Sequence, residues 1–152
     1  TAQCFGTPTA CPCGNGSNGQ VGCINSVLSG ARLRALGSAN TTADTLQLSV
    51  TGVPEGNSVL FFQGSTLVAG GAGTVFGDGL RCAGGTVVRL GVKSVSFGVA
   101  RYPELGDLSI AQRGFVPAGA TRVYQCWYLE GLGACGSFSS NTSNAFEINW
   151  QP

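Results

Sequence analysis

The 152-residue chain contains no histidine and no methionine, and only 10% of its residues are charged. Each absence excludes something. Without imidazole there is no Ser-His-Asp triad, no Cys-His pair and no His-ligated metal. With 8 basic against 7 acidic residues the formal net charge is +1, too weak a field to gather nucleic acid. Long apolar runs are missing as well: Val59-Leu60-Phe61-Phe62 falls far short of the ~20 residues of a membrane-spanning helix. The glycine-rich stretches Gly70-Gly71-Ala72-Gly73 and Gly77-Asp78-Gly79 do not open helices, so neither reads as a phosphate cradle. No cofactor is expected.

What the chain does have is glycine, 25 of them, and seven cysteines. Seven cysteines without a histidine read as disulfides in an oxidising compartment rather than as a zinc site, and Cys11-Pro12-Cys13 lacks the usual two-residue gap of metal-binding pairs. A start at Thr1 rather than Met leads to the expectation of a cleaved signal peptide and a secreted, extracellular or cell-surface protein. The length suits one domain.

Two regions differ in texture. Residues 1–30 hold four cysteines, Cys4, Cys11, Cys13 and Cys23, with almost no apolar periodicity, and read as an irregular, disulfide-stapled arm. Residues 31–152 change to short alternating runs punctuated by Gly, Pro and Asn, the texture of a β-sandwich. Leu46, Leu48 and Val50 alternate with Gln47, Ser49 and Thr51 as a half-buried strand does. Val53-Pro54-Glu55-Gly56-Asn57 predicts a turn, and with it a hairpin to a strand over Ser58–Gln63. Further strands are predicted over 86–92, 94–99, 107–112, 121–129 and 145–150, while 69–73 reads as a surface loop. The expected fold is all-β: a two-sheet sandwich of about eight strands with Greek-key or jelly-roll-like connections.

Spacing favours a Cys82–Cys135 bond within the β body, worth about 4 kcal/mol through loop closure, which leaves the four arm cysteines to pair among themselves. Cys126 is then the odd one. It lies between Tyr124 and Tyr128 on one strand face, which favours a buried small apolar side chain over an intermolecular bond or a reactive thiol.

The seven carboxylates, Asp44, Glu55, Asp78, Glu104, Asp107, Glu130 and Glu147, mostly abut Gly, Pro or Asn and read as solvated loop ends, not as a glycosidase pair. Asp78, and Asp107 near Glu104, carry hard oxygens suited to calcium, but without acids at alternate positions turn chemistry accounts for them. Trp127, Tyr128, Trp150, Phe61 and Phe62 could offer a stacking platform to sugars. Core packing explains most of them, and alternation sends Trp127 and Tyr128 to opposite faces. Asn15, Asn40 and Asn141 begin Asn-x-Ser/Thr triplets and are candidate glycosylation sites.

Several blocks also form a familiar order: Ala10-Cys11-Pro12-Cys13-Gly14-Asn15, Gly22-Cys23-Ile24-Asn25-Ser26, Leu60-Phe61-Phe62-Gln63-Gly64, Phe76-Gly77-Asp78-Gly79-Leu80-Arg81-Cys82, Tyr124-Gln125-Cys126-Trp127-Tyr128 and Asn141-Thr142-Ser143-Asn144-Ala145-Phe146. This order resembles an uncharacterised family of secreted bacterial β domains across nearly the whole chain. The resemblance implies a module usually carried at the C-terminal end of larger exported proteins, with no activity and hence no catalytic residues to transfer. Cys126 departs from it, standing where the family prefers an aliphatic residue.

The function expected is therefore structural and not enzymatic: an extracellular subunit that assembles with further copies of itself into a surface fibre or layer, its apolar-poor arm covered by a neighbour. The alternative is a glycan-binding or adhesive module. Intact mass should show three intramolecular disulfides and one thiol: reduction should add six hydrogens, and four or more free thiols in fresh protein would overturn the oxidised reading.

Overall fold

The computed structural model describes residues 1–136 and 138–152. Among these the strands are β1 (Ala2–Gln3), β2 (Arg32–Leu36), β3 (Gln47–Thr51), β4 (Ser58–Leu67), β5 (Thr74–Phe76), β6 (Gly79–Arg81), β7 (Ala83–Ser94), β8 (Val99–Tyr102), β9 (Thr121–Leu132), β10 (Phe138–Thr142) and β11 (Ala145–Asn149). A 3-10 turn over Val68–Gly71 and one α-helical turn, α1 (Ile110–Arg113), interrupt them. The larger sheet has six strands in the order β1-β11-β9-β4-β7, with β10 also pairing β9. The smaller sheet is β2-β3-β8, and β5 and β6 form a hairpin of their own. All these pairings are antiparallel.

Alternation along β9 explains the layering. Tyr124, Cys126 and Tyr128 point inward with Phe61 of β4, and pack with Leu33, Leu48, Val50, Ala100, Tyr102 and Trp150 into the core between the two sheets. Full burial of one such apolar side chain contributes about 1.5–3 kcal/mol. The opposite face of the same sheet is not open to water over most of its area. There Val123, Phe62 and Ala145 pack with Cys4, Cys11, Cys23, Leu80 and Cys82, a second core supplied by the arm and by the β5–β6 hairpin. The arm is thus a third layer over its own body. β1 pairs with β11, and the Thr1 ammonium donates to the Glu147 carbonyl at 2.6 Å. The apolar cover the arm lacks in sequence comes from the outer face of its own sheet.

Polar side chains tie this third layer down. Gln125 is fully buried on the outward face of β9; its Oε1 accepts from the Cys82 N–H at 2.9 Å and the Ala83 N–H at 3.2 Å. Its Nε2 donates to the Leu80 carbonyl at 2.7 Å and the Ser143 carbonyl at 2.8 Å. At the break between β10 and β11, Thr142 Oγ1 donates to Leu80 O at 2.7 Å and accepts from Leu80 N–H at 3.0 Å. Asn144 reaches the other sheet, accepting from Leu33 N–H at 2.7 Å and donating to Leu33 O at 3.2 Å. The buried run 141–144 therefore stitches three layers by side-chain bonds where no strand ladder can.

The disulfides run differently from the spacing-based pairing. Cys4 bonds Cys82, Cys11 bonds Cys23 and Cys13 bonds Cys135, while Cys126 is free and buried. Only Cys11–Cys23 is local; the expected Cys82–Cys135 bond does not form, because the arm folds back across the body and brings Cys4 and Cys13 to those partners. Loop closure over separations of 78 and 122 residues is worth about 4–5 kcal/mol each on the chain-entropy model.

Three local expectations are also corrected. Residues 53–57 do turn, but β3 pairs with β2 and β8 while β4 pairs with β7 and β9, so the turn carries the chain from one sheet to the other instead of closing a hairpin. Residues 107–112 hold α1, not a strand: Ser109 Oγ accepts from Gln112 N–H and Gln112 Oε1 from Ser109 N–H, both at 3.3 Å, a capping box visible as Ser-x-x-Gln. Asp44 adds a bond from the Ala111 N–H at 2.7 Å. Residues 95–98 make the turn between β7 and β8, where the Glu55 carboxylate takes the Phe97 and Gly98 N–H groups at 2.9 and 2.8 Å. The surface turn at 68–71 agrees with its glycine content.

Replacing Gln125 with Leu keeps the apolar packing and strands four buried backbone groups. Chemical denaturation should show a loss of about 3 kcal/mol or more at unchanged m-value, whereas Gln20→Leu on the surface should stay within ~0.5 kcal/mol of the parent.

Candidate ligand cleft

The third layer does not cover the whole outward face of the large sheet. Where it stops, Leu60 stands opposite Trp127 in the β4–β9 ladder, and Phe62 of β4 stands opposite Arg89 of β7. These residues, with Val87, and with Phe76 and Arg81 from the β5–β6 hairpin, line a cleft of about 290 Å³. Its walls are mostly hydrocarbon and aromatic. The indole Nε1–H of Trp127 is shielded from solvent and has no acceptor among the described residues, a state that costs about 1–3 kcal/mol.

Charge at the cleft is of one sign. Arg81 is braced by a bond from its Nε to the Ala83 carbonyl at 3.1 Å. Neither Arg81 nor Arg89 has a carboxylate partner among the described residues, where the ion pairs are those of Lys93 with Asp107 at 2.6 Å and Glu104 at 3.3 Å. Two guanidinium groups beside an aromatic floor suit a ligand that carries an anionic group on an otherwise apolar face.

Of the five aromatic residues considered for a stacking platform, Phe61, Tyr128 and Trp150 are core residues and Phe62 and Trp127 line the cleft. No local sequence feature marks Phe76, Arg81 or Arg89 as cleft residues. The alternation of 86–92 places Arg89 with Val87 on one face, but nothing local says that this face stays uncovered. Tyr128 is further committed by a hydrogen bond with Asn25 Nδ2 at 3.0 Å, and burial pushes its phenol well above its ordinary range.

Six of the seven carboxylates fall into three pairs by setting. Asp44 and Glu55 cap backbone N–H groups, and Glu104 and Asp107 share Lys93, whose hydrogen bond holds the Asp107 carboxyl below its ordinary value. These ion pairs are partly exposed, and each contributes about 1 kcal/mol or less. Asp78 and Glu130, expected as solvated loop ends, are instead buried. Among the described residues no group of three His, Cys, Asp or Glu side chains comes together, and no helix is long and apolar enough to cross a membrane.

Two of the three glycosylation candidates are closed in the folded chain. The Asn15 amide is buried and donates to the Ile24 and Asp78 carbonyls, each at 2.9 Å, and Asn141 is fully buried, donating to Cys23 O at 3.4 Å. A sequon needs its amide free, and tertiary structure has used both. Asn40 is partly exposed, with its amide donating to the Pro152 carbonyl.

Fold and site together define a disulfide-stapled, all-β sandwich with an open aromatic cleft. Compared with known proteins, the chain matches no family model, no curated protein and no solved structure.

Burial raises the Cys126 thiol well above its ordinary pKa, opposed by a weaker hydrogen bond with Ser143. The reactive thiolate is therefore scarce in the native protein. Iodoacetamide at pH 8 should leave Cys126 unmodified in native protein and label it fully in denaturant, and rapid native labelling would show that the site opens.

Proposed function

We propose that this chain is a secreted, non-enzymatic binding module that holds an anionic saccharide in the Trp127 cleft. One observation carries the reading: two arginines without acidic partners flank an aromatic-floored cleft on a surface otherwise low in charge. The C–H face of a pyranose packs on an aromatic ring, while a uronate or sulfate matches the guanidinium fork. The three disulfides support work in an oxidising compartment, and the resemblance to secreted bacterial β domains supports an exported module.

Self-association into a fibre or layer is a second reading, and a different surface favours it. β7 is an edge strand of 12 residues paired only with β4, and it exposes Val87 and Val92. Such an edge can accept a strand from another copy, although the charge of Arg89 on it opposes close approach.

Calorimetry against neutral and uronate-containing or sulfated oligosaccharides distinguishes the readings. Binding should be confined to the acidic set, fall about 10–100-fold in Arg89→Ala and disappear in Trp127→Ala. Absence of binding to any acidic oligosaccharide, together with growth of large particles at rising protein concentration, would favour edge association instead.

A further inference from the structure

Asparagine ahead of glycine is chemically labile, because the glycine nitrogen has no neighbouring Cβ to hinder its approach to the asparagine side chain. The arm carries two such pairs, Asn15-Gly16 and Asn18-Gly19. The fold treats them oppositely. Asn15 is buried; its Nδ2 donates to the Ile24 and Asp78 carbonyls, and its Oδ1 accepts from the Cys13 N–H at 3.3 Å. Gly16 is wedged against the chain as well, since a Cβ there would stand 2.2 Å from Pro8 Cα. Asn18 and Gly19 are both exposed. Of the eight asparagine side chains, Asn18 alone makes no hydrogen bond among the described residues; each of the others makes at least one. The Gly19 N–H has no acceptor among them either. A Cβ on Gly19 would meet nothing nearer than Val21 Cγ2 at 3.5 Å. The loop tip is anchored on either side, by the Ser17 N–H on Gly6 O at 2.6 Å and the Gly6 N–H on Val21 O at 2.8 Å.

We propose that Asn18 is a modification site, a centre of spontaneous deamidation that turns this amide into a carboxylate without an enzyme. Once base has removed its proton, the Gly19 nitrogen attacks Asn18 Cγ. The N–Cγ bond forms, the Cγ–Nδ2 bond breaks, and Nδ2 leaves as ammonia with a proton from water. Water then opens the cyclic imide. Cleavage at Cγ gives aspartate; cleavage at the Asn18 main-chain carbonyl gives isoaspartate, in which the chain runs through the former side chain. No electrons are transferred, and water is the only co-reactant. Either product carries one more negative charge, which cancels the formal net charge of +1. The ring closes only if the backbone between the two residues can rotate, which an exposed loop tip without hydrogen bonds at Asn18 and Gly19 allows. Asn15 would first have to give up its buried hydrogen bonds and lift Gly16 off Pro8, so its reaction must wait for the arm to open.

Native protein with its disulfides intact, held in mildly alkaline buffer, then digested at acidic pH and mapped by mass spectrometry, tests this. Product should accumulate at Asn18, with isoaspartate, detected by enzymatic methylation, exceeding aspartate, and the protein should shift to a more acidic isoelectric form. Asn15 should react at least about tenfold more slowly, whereas in the reduced, denatured chain the two pairs should react at comparable rates. Gly19→Ala, which the open surroundings accommodate, should keep the parental thermal midpoint and slow the Asn18 reaction about tenfold or more, because the added Cβ crowds the nitrogen. An unmodified Asn18 in the native protein would overturn the proposal. So would native Asn15 reacting as fast as Asn18, or a Gly19→Ala variant that deamidates at the parental rate.

Discussion

The large sheet of this protein is covered on both faces, and the cover on one face has almost no regular structure. That arrangement depends on Gln125. A polar side chain at a fully buried, outward-facing position of β9 would be a liability alone; here its amide takes four bonds to main-chain groups of Leu80, Cys82, Ala83 and Ser143. Irregular chain carries backbone N–H and C=O groups that no ladder satisfies, and burying it over a sheet demands partners for each. Gln125, Thr142 and Asn141 supply them, and Asn144 does the same towards the other sheet.

The disulfides then hold what burial alone could not. The arm buries few apolar side chains besides its cysteines, so Cys4–Cys82 and Cys11–Cys23 serve both as cross-links and as the apolar substance of the second core, while Cys13–Cys135 is a cross-link outside it. The cover ends where this stapled chain ends. Trp127, Phe62 and Leu60 continue the outward face past that boundary, and the uncovered remainder is the cleft. The cleft and the arm architecture are thus one feature, the cleft being the part of the outward face that the arm leaves bare.

The far end of β9 meets a different constraint. It runs out between the β5–β6 turn and the Cys135 loop, and there two carboxylates replace the amide chemistry used elsewhere. Amides satisfy backbone groups in both directions, whereas carboxylates only accept and bring charge. Each settles on a main-chain N–H, Glu130 on that of Ser26 and Asp78 on that of Cys135.

Local pattern was enough for several conclusions. The alternation of Leu46, Leu48 and Val50, the inward face shared by Tyr124, Cys126 and Tyr128, the oxidised chemistry of seven cysteines without histidine, and the all-β class follow from side-chain period and composition, which depend only on neighbours along the chain. Other features depended on which segments meet across the molecule. The sheet change at 53–57, the pairing of Cys4 with Cys82, the closing of Asn15 and Asn141 into hydrogen bonds, and the meeting of Asp78 with Glu130 all join residues far apart in sequence. Alternation tells which side chains share a face of a strand, but not whether that face meets a second sheet, an arm or water. For β9 the answer was all three, and tertiary packing alone decided where each begins.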